Sequence, residues 1–202
     1  AGIIVPTVFL TTIEIMDGFS EKRGFSTTDI GANLLGVSAF ALQQYYWNEQ
    51  KILFKFSTFP TRIDPEIQVM GAGGTTTLKK RYDDLYGKDF LARLLKDYNG
   101  QTYWLSANIW SFSKESNFPK WINIALGYGA EGMLGVSNSL NNIVSPKPFR
   151  QFYISLDVDL SKIKTQSKIL QSVFSVINFI KIPAPTLEFR SKGGLKFHYL
   201  YF

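Results

Sequence analysis

Trp121-Ile122-Asn123-Ile124-Ala125-Leu126-Gly127-Tyr128-Gly129-Ala130-Glu131 is the stretch on which the fold turns. Ile122, Ile124, Leu126 and Tyr128 stand at every second position, and Asn123, Ala125, Gly127, Gly129 and Glu131 fill the gaps. Period-two alternation is a strand with two chemically different faces. Two arrangements fit. In a soluble sheet the apolar face meets a core and the other meets water. In a transmembrane barrel the apolar face meets lipid, and the small or polar face lines the interior.

The neighbouring strands carry the same pattern with charge on the polar side. Ile154, Leu156, Val158 and Leu160 alternate with Tyr153, Ser155, Asp157 and Asp159; Leu187 and Phe189 alternate with Glu188 and Arg190. Glu131, Asp157, Asp159, Glu188 and Arg190 are therefore the expected lumen-facing residues. Charges of both signs facing one another lower the cost of burial. Six strands are expected, over 51–58, 102–112, 121–131, 150–160, 186–191 and 195–202. Bacterial barrels usually have an even number, eight or more. Residues 67–70 and 132–140 are the candidates for two further strands.

The chain ends Lys192-Gly193-Gly194-Leu195-Lys196-Phe197-His198-Tyr199-Leu200-Tyr201-Phe202. Gly194, Phe197, Tyr199, Tyr201 and the final Phe202 resemble the terminal-strand signal by which bacterial outer-membrane barrels are recognised for insertion. An aromatic edge strand of a soluble sheet would invite pairing with other chains. The signal tilts the reading towards a membrane barrel with interfacial aromatics.

The first fifty residues read as a helical hairpin. Gly2 to Met16 is mostly apolar, and Asp17-Gly18 ends it. Ser26 or Thr28 caps a second helix reaching about Trp47. Its small residues Gly31, Ala32, Gly36, Ala39 and Ala41 allow close backbone approach, in a membrane or against a soluble sheet alike. Residues 60–88 read as a long Pro- and Gly-rich loop, with a solvated Lys79-Lys80-Arg81 run. Amphipathic helices are expected at 89–98 and 165–181. The expected fold is thus an α+β membrane protein. A small antiparallel β-barrel or strongly curved sheet of six to eight strands fills 51–202. The helical hairpin fills 1–50.

Of the 202 residues, 15% are Phe, Trp or Tyr and 19% are charged, and mean hydropathy is −0.02. That balance excludes a disordered chain and argues against a polytopic helical membrane protein. There is no Cys and a single His, His198. Disulfides, thiolate metal sites, a Cys nucleophile and multi-histidine sites are excluded. The net charge of +6 is scattered, without a nucleic-acid motif. Gly71-Ala72-Gly73-Gly74 lacks the Lys-Ser/Thr of a phosphate loop. Asp157-x-Asp159 has too few partners for a calcium loop. No cofactor or metal is expected. The start at Ala1, without Met or a basic leader, is that of a mature product or fragment.

Glu14, Asp17, Asp29 and Asn33 form the expected buried polar network of the hairpin; Asp29, Asn33 and Gly36 share one helix face. Together with Arg23 and Ser26 they resemble the YfiM-type lipoproteins of unknown function, and more distantly the VanZ-like helical proteins. Three further segments resemble the longer Bacteroidetes-type members of that family. They are Gln43-Gln44 to Gln50, Asp97-Tyr98-Asn99-Gly100 through Ser106, and Pro119-Lys120-Trp121 followed by Gly127 through Met133. The resemblance implies an Asp-Lys-x-x-His element upstream of Ala1, whose His would join Glu14, Asp17 and Asp29.

His198 is a second candidate for chemistry. Some outer-membrane barrels modify lipid A with a His, a Ser and an acid, and Ser191 and Glu188 lie across the hairpin turn. The weak catalytic candidates are therefore His198, Glu14, Asp17 and Asp29. The bland alternatives are an interior His in a polar ladder and a set of helix caps. The expected function is an accessory or structural subunit of a Gram-negative outer-membrane assembly. Its expected partners are outer-membrane lipid and other envelope proteins, not nucleic acid. The alternatives are an envelope-lipid-modifying enzyme and a soluble periplasmic binding domain.

Overall fold

The computed structural model describes residues 27–59, 61, 64–71, 74–112, 119–134 and 147–202. The chain divides into two compact units, Ala1–Lys51 and Ile52–Phe202.

In the first unit, helix α1 runs Thr27–Trp47. Asn48 ends it at φ 53°, the left-handed conformation Asn tolerates best after Gly. Its N–H donates to Gln44 O at 3.1 Å. Gln43 Oε1 then accepts from Lys51 N at 3.0 Å. The first helix of the expected hairpin lies outside the described residues. Among the described residues no helix is long and apolar enough to cross a membrane.

The second unit holds a six-stranded antiparallel sheet in the order β1-β4-β5-β6-β7-β8. Its strands are β1 (Ile52–Thr58), β4 (Gln101–Ala107), β5 (Ile122–Glu131), β6 (Phe149–Val158), β7 (Ala184–Arg190) and β8 (Leu195–Tyr201). A separate hairpin pairs β2 (Gln68–Gly71) with β3 (Gly74–Thr77). Helices α2 (Leu78–Tyr86) and α3 (Phe90–Lys96) lead into β4, and α4 (Lys168–Ile177) precedes β7.

The sheet is strongly curled. Adjacent strands lie ~4.8 Å apart, so a flat sheet would put β4 and β8 about 19 Å apart. Yet the rings of Trp104 on β4 and Tyr201 on β8 are 6.2 Å apart. The sheet does not close, which corrects the barrel alternative. No pairing joins β1 to β8 among the described residues. The edge of β1 is covered instead by the chain after α4. Phe56 N donates to Phe179 O at 2.8 Å, and Lys181 N donates to Phe56 O at 3.0 Å. These bonds form a single parallel bridge between Phe56 and Ile180.

Four local expectations need correction. Residues 60–88 hold β3 and α2 as well as loop. Thr77 caps α2 by accepting from Lys80 N, and the helix buries Tyr82 and Tyr86. Lys79 and Lys80 are exposed on that helix, whereas the Arg81 guanidinium donates to Leu134 O at 2.8 Å. The strand expected over 102–112 stops at Ala107 and continues as a 3-10 turn, Ile109–Phe112. The helix expected over 165–181 is limited to Lys168–Ile177, because residues 179–181 pair with β1. Residues 132–134 form no strand, and 135–140 lie outside the described residues.

Candidate functional site

The central strands bury their polar side and expose their apolar side. On β5, Asn123, Ala125, Gly127, Gly129 and Ala130 are buried, whereas Ile124, Leu126 and Tyr128 are exposed. On β6, Gln151, Tyr153, Ser155 and Asp157 are buried, whereas Phe152, Ile154 and Leu156 are exposed. On β7, Thr186 and Glu188 are buried, whereas Leu187 and Phe189 are exposed. The buried concave face is the polar one.

An aromatic layer crosses the middle of that face. Trp104 stacks near Tyr153 at 5.6 Å between ring centres, and Tyr153 stacks on Tyr201 at 4.7 Å. Tyr201 Oη donates to Tyr153 Oη at 2.7 Å, and the Trp104 indole donates to Ser57 Oγ at 2.8 Å. Gly127 makes room: a Cβ there would sit 2.6 Å from Trp104 Cζ3.

On one side of this layer lies a cluster around Asp157. Its Oδ2 is 2.9 Å from Lys55 Nζ and accepts from Ser106 Oγ at 2.6 Å. Its Oδ1 accepts from Ile182 N at 3.2 Å and lies 4.0 Å from Lys181 Nζ. Asn123 Nδ2 donates to Ser106 Oγ at 2.9 Å. Lys181 Nζ donates to Leu156 O and Ile182 O and sits 5.0 Å above the Trp104 ring. Asp159 is tied locally, accepting from Ser161 and from Asn178 Nδ2.

On the other side lies a cluster around Glu188. Oε1 accepts from Gln151 Nε2 at 2.9 Å and from Arg190 Nε at 2.5 Å. Oε2 lies 2.7 Å from His198 Nε2. Of the expected lumen-facing residues, Asp157, Asp159 and Glu188 are buried, Arg190 is half-buried, and Glu131 is exposed at the end of β5.

These contacts make the interior a satisfied polar core. Among the described residues Asn123 Oδ1 alone is a buried side-chain polar atom without a hydrogen-bond partner. Charges buried this way hold a structure together through mutual pairing. His198 has the acid expected beside it, but not the serine: Ser191 Oγ accepts from Arg150 N at 2.9 Å instead. No group of three or more His, Asp or Glu residues suited to a metal occurs among the described residues.

Glu14 and Asp17 lie outside the described residues. Asp29 and Asn33 stand one turn apart on α1, with Asn33 half-buried. In the terminal signal, Phe197, Tyr199 and Phe202 are exposed. Gly194 takes φ +113° in the turn. Tyr201 does not join them. A bulge in the β7–β8 register, where Ala184 faces Tyr201 but Thr186 faces His198, turns Tyr201 into the concave face.

A hub that sequence reading passed over is Asp97, at the end of α3. Its carboxylate accepts from Thr61 Oγ1 at 2.8 Å, from Asn99 N at 3.0 Å and from the Tyr82 hydroxyl. Asn99 Oδ1 in turn accepts from Met133 N at 2.6 Å, and Tyr86 donates to Met133 O. Burial, and then the carboxylate beside it, raises the Tyr82 pKa well above its ordinary value. The segments 97–106 and 127–133 thus meet side by side, with Thr102 opposite Gly129. An Asp next to Tyr-Asn-Gly after a helix was the available signal.

No family model, no curated protein and no solved structure matches this chain.

Proposed function

We propose that this protein is an outer-membrane accessory or structural subunit of a Gram-negative envelope assembly, acting by binding rather than catalysis. The observation that carries the reading is the order of side chains on the convex face. One register row runs Phe56, Tyr103, Tyr128, Phe152, Phe189, Leu195 across all six strands. The next row runs Phe54, Leu105, Leu126, Ile154, Leu187, Phe197. Beyond it come Ile124 and Leu156, then Ile122 and Val158. An aromatic row bordering aliphatic rows is how a sheet meets a lipid interface and then hydrocarbon.

The extent of that face supports the reading, because monomers rarely expose contiguous apolar patches so large to water. Strands β5 and β6, ten residues each, have the length a tilted span needs. Helix α4 adds a second apolar surface. It buries none of its residues, and Ile169, Val173, Val176 and Ile177 are exposed. An amphipathic helix of this kind suits the headgroup boundary. The interior pairs its polar groups with one another, as Glu188 does with Gln151, Arg190 and His198, and this internal pairing supports a binding role.

Fractionation of native membranes tests the reading. The protein is expected in the outer-membrane fraction, released by detergent and not by salt or alkali, together with a stoichiometric partner. Recovery as a freely soluble monomer would overturn it.

A further inference from the structure

A cleft of about 540 Å³ opens where the convex sheet face meets α2 and α3. Tyr98, Tyr103 and Tyr128 line it, and so do the cations Lys96 and Arg150. Its floor is held in place, because Tyr103 Oη donates to Gln101 Oε1 at 2.8 Å and Gln101 Nε2 donates to Leu94 O at 3.0 Å.

The position of the cations is informative. Tyr103 and Tyr128 belong to the aromatic row. Arg150 shares the outward parity of Phe152 and Ile154 and pairs with Ala130, one step beyond that row. Lys96 lies in the last turn of α3. Among the described residues neither cation has a carboxylate partner. The Arg150 guanidinium lies 3.9 Å from Met133 Sδ. The acid nearest in register, Glu131, accepts from Gln151 instead. Two such cations beside a wall of tyrosines match an anion joined to an apolar tail. Arg and Lys pair with phosphate by charge-assisted hydrogen bonds, and tyrosine rings offer apolar bodies with polar tips at an interface.

We propose that this cleft binds the phosphate headgroup of an anionic lipid, with Lys96 and Arg150 on the phosphate and the first acyl segment along Tyr103 and Tyr128. The inference rests on the membrane reading above and names the lipid class which that surface selects.

The test uses the full chain released in neutral detergent. Lipid adducts are counted by native mass spectrometry with phosphatidylglycerol or phosphatidylcholine, and partition is followed into vesicles of each. Phosphatidylglycerol is expected to be retained at least ~10-fold more than phosphatidylcholine, roughly the tenfold that separates partners by one good charged contact. In Lys96→Gln/Arg150→Gln that preference is expected to vanish, with near-ultraviolet circular dichroism unchanged. The control Lys80→Gln/Lys120→Gln removes equal charge at exposed positions elsewhere and is expected to keep it. Equal retention of both lipids by the parent protein overturns the proposal, as does an equal loss in the control. Displacement of phosphatidylglycerol by millimolar inorganic phosphate would assign the site to free phosphate and overturn the lipid assignment. Partition into vesicles without lipid preference would sink the cleft and leave the membrane reading standing; no partition at all would sink both.

Discussion

Lys55 Nζ on β1 lies 2.9 Å from Asp157 Oδ2 on β6, and both side chains are wholly withdrawn from solvent. In strand order β4 and β5 stand between them, so the pair reaches across the concave face and fixes its curl. Removing one member of a buried pair costs about 3–5 kcal/mol, and losing Lys55 leaves Asp157 with the more distant Lys181, at 4.0 Å. Lys55→Met is expected to lose that much in denaturant unfolding from detergent micelles. Lys55→Met/Asp157→Leu is expected to lose less than the two single changes together. Additive losses would mean that the pair is not coupled.

Gly127 and Trp104 set a second constraint on the same interior. A methyl group at 127 would meet the indole at 2.6 Å from Cζ3 and 2.7 Å from Cε3. Gly127→Ala should therefore cost about 1–3 kcal/mol through overpacking. In Trp104→Leu the obstacle is gone, so adding Gly127→Ala to it should cost nothing further. Thermal unfolding of the four proteins measures this coupling. A full cost in the Trp104→Leu background would place the strain elsewhere.

How much of this was legible in sequence follows from period. Alternation is a local property, so the strands and the two chemically distinct faces could be read directly from Ile122 to Tyr128 and from Tyr153 to Val158. Which strand lies beside which is set by register and turns, and only the folded sheet brings the aromatic row into line or Lys55 beside Asp157. The α2 helix was hidden because Leu78, Tyr82 and Leu85 are separated by Lys79, Lys80 and Arg81, which read as a solvated run. Strict alternation puts Tyr201 on the face of Phe197 and Tyr199, but one bulged residue inverts every later side chain and turns it inward. The cation pair of the cleft has no sequence signal at all, since Lys96 and Arg150 are brought together only by tertiary packing.

Tyr82 makes a prediction about alkaline stability. Its folded pKa lies above the ordinary tyrosine value of about 10, chiefly through burial and then through Asp97. A tyrosine raised in this way contributes stability that is intact below the unfolded pKa. That stability is lost as pH rises towards the folded pKa. Between pH 8 and pH 11 the unfolded chain alone releases this proton, which costs about 1.4 kcal/mol at pH 11. Tyr82→Phe has no such proton, so its unfolding free energy should fall by that much less over the same interval. Urea unfolding at the two pH values makes the comparison. Equal pH dependence in both proteins would show that the phenol titrates freely.

Leu126 is the residue at which water and hydrocarbon as surroundings of the convex face give different outcomes. It is 55% exposed and sits in the row beyond Tyr103 and Tyr128. If that face met water, Leu126→Arg would be a surface change worth within about 0.5 kcal/mol. Against hydrocarbon the same change costs about 2–4 kcal/mol near the midplane and about 0–1 near an interface. The expected outcome is a large loss for Leu126→Arg and a small one for Tyr128→Arg, measured by urea unfolding from phospholipid vesicles. The gradient between two outward residues of one strand is the informative quantity, since a general intolerance of charge would penalise both alike. Small losses at both positions would mean that the apolar face is not turned to lipid.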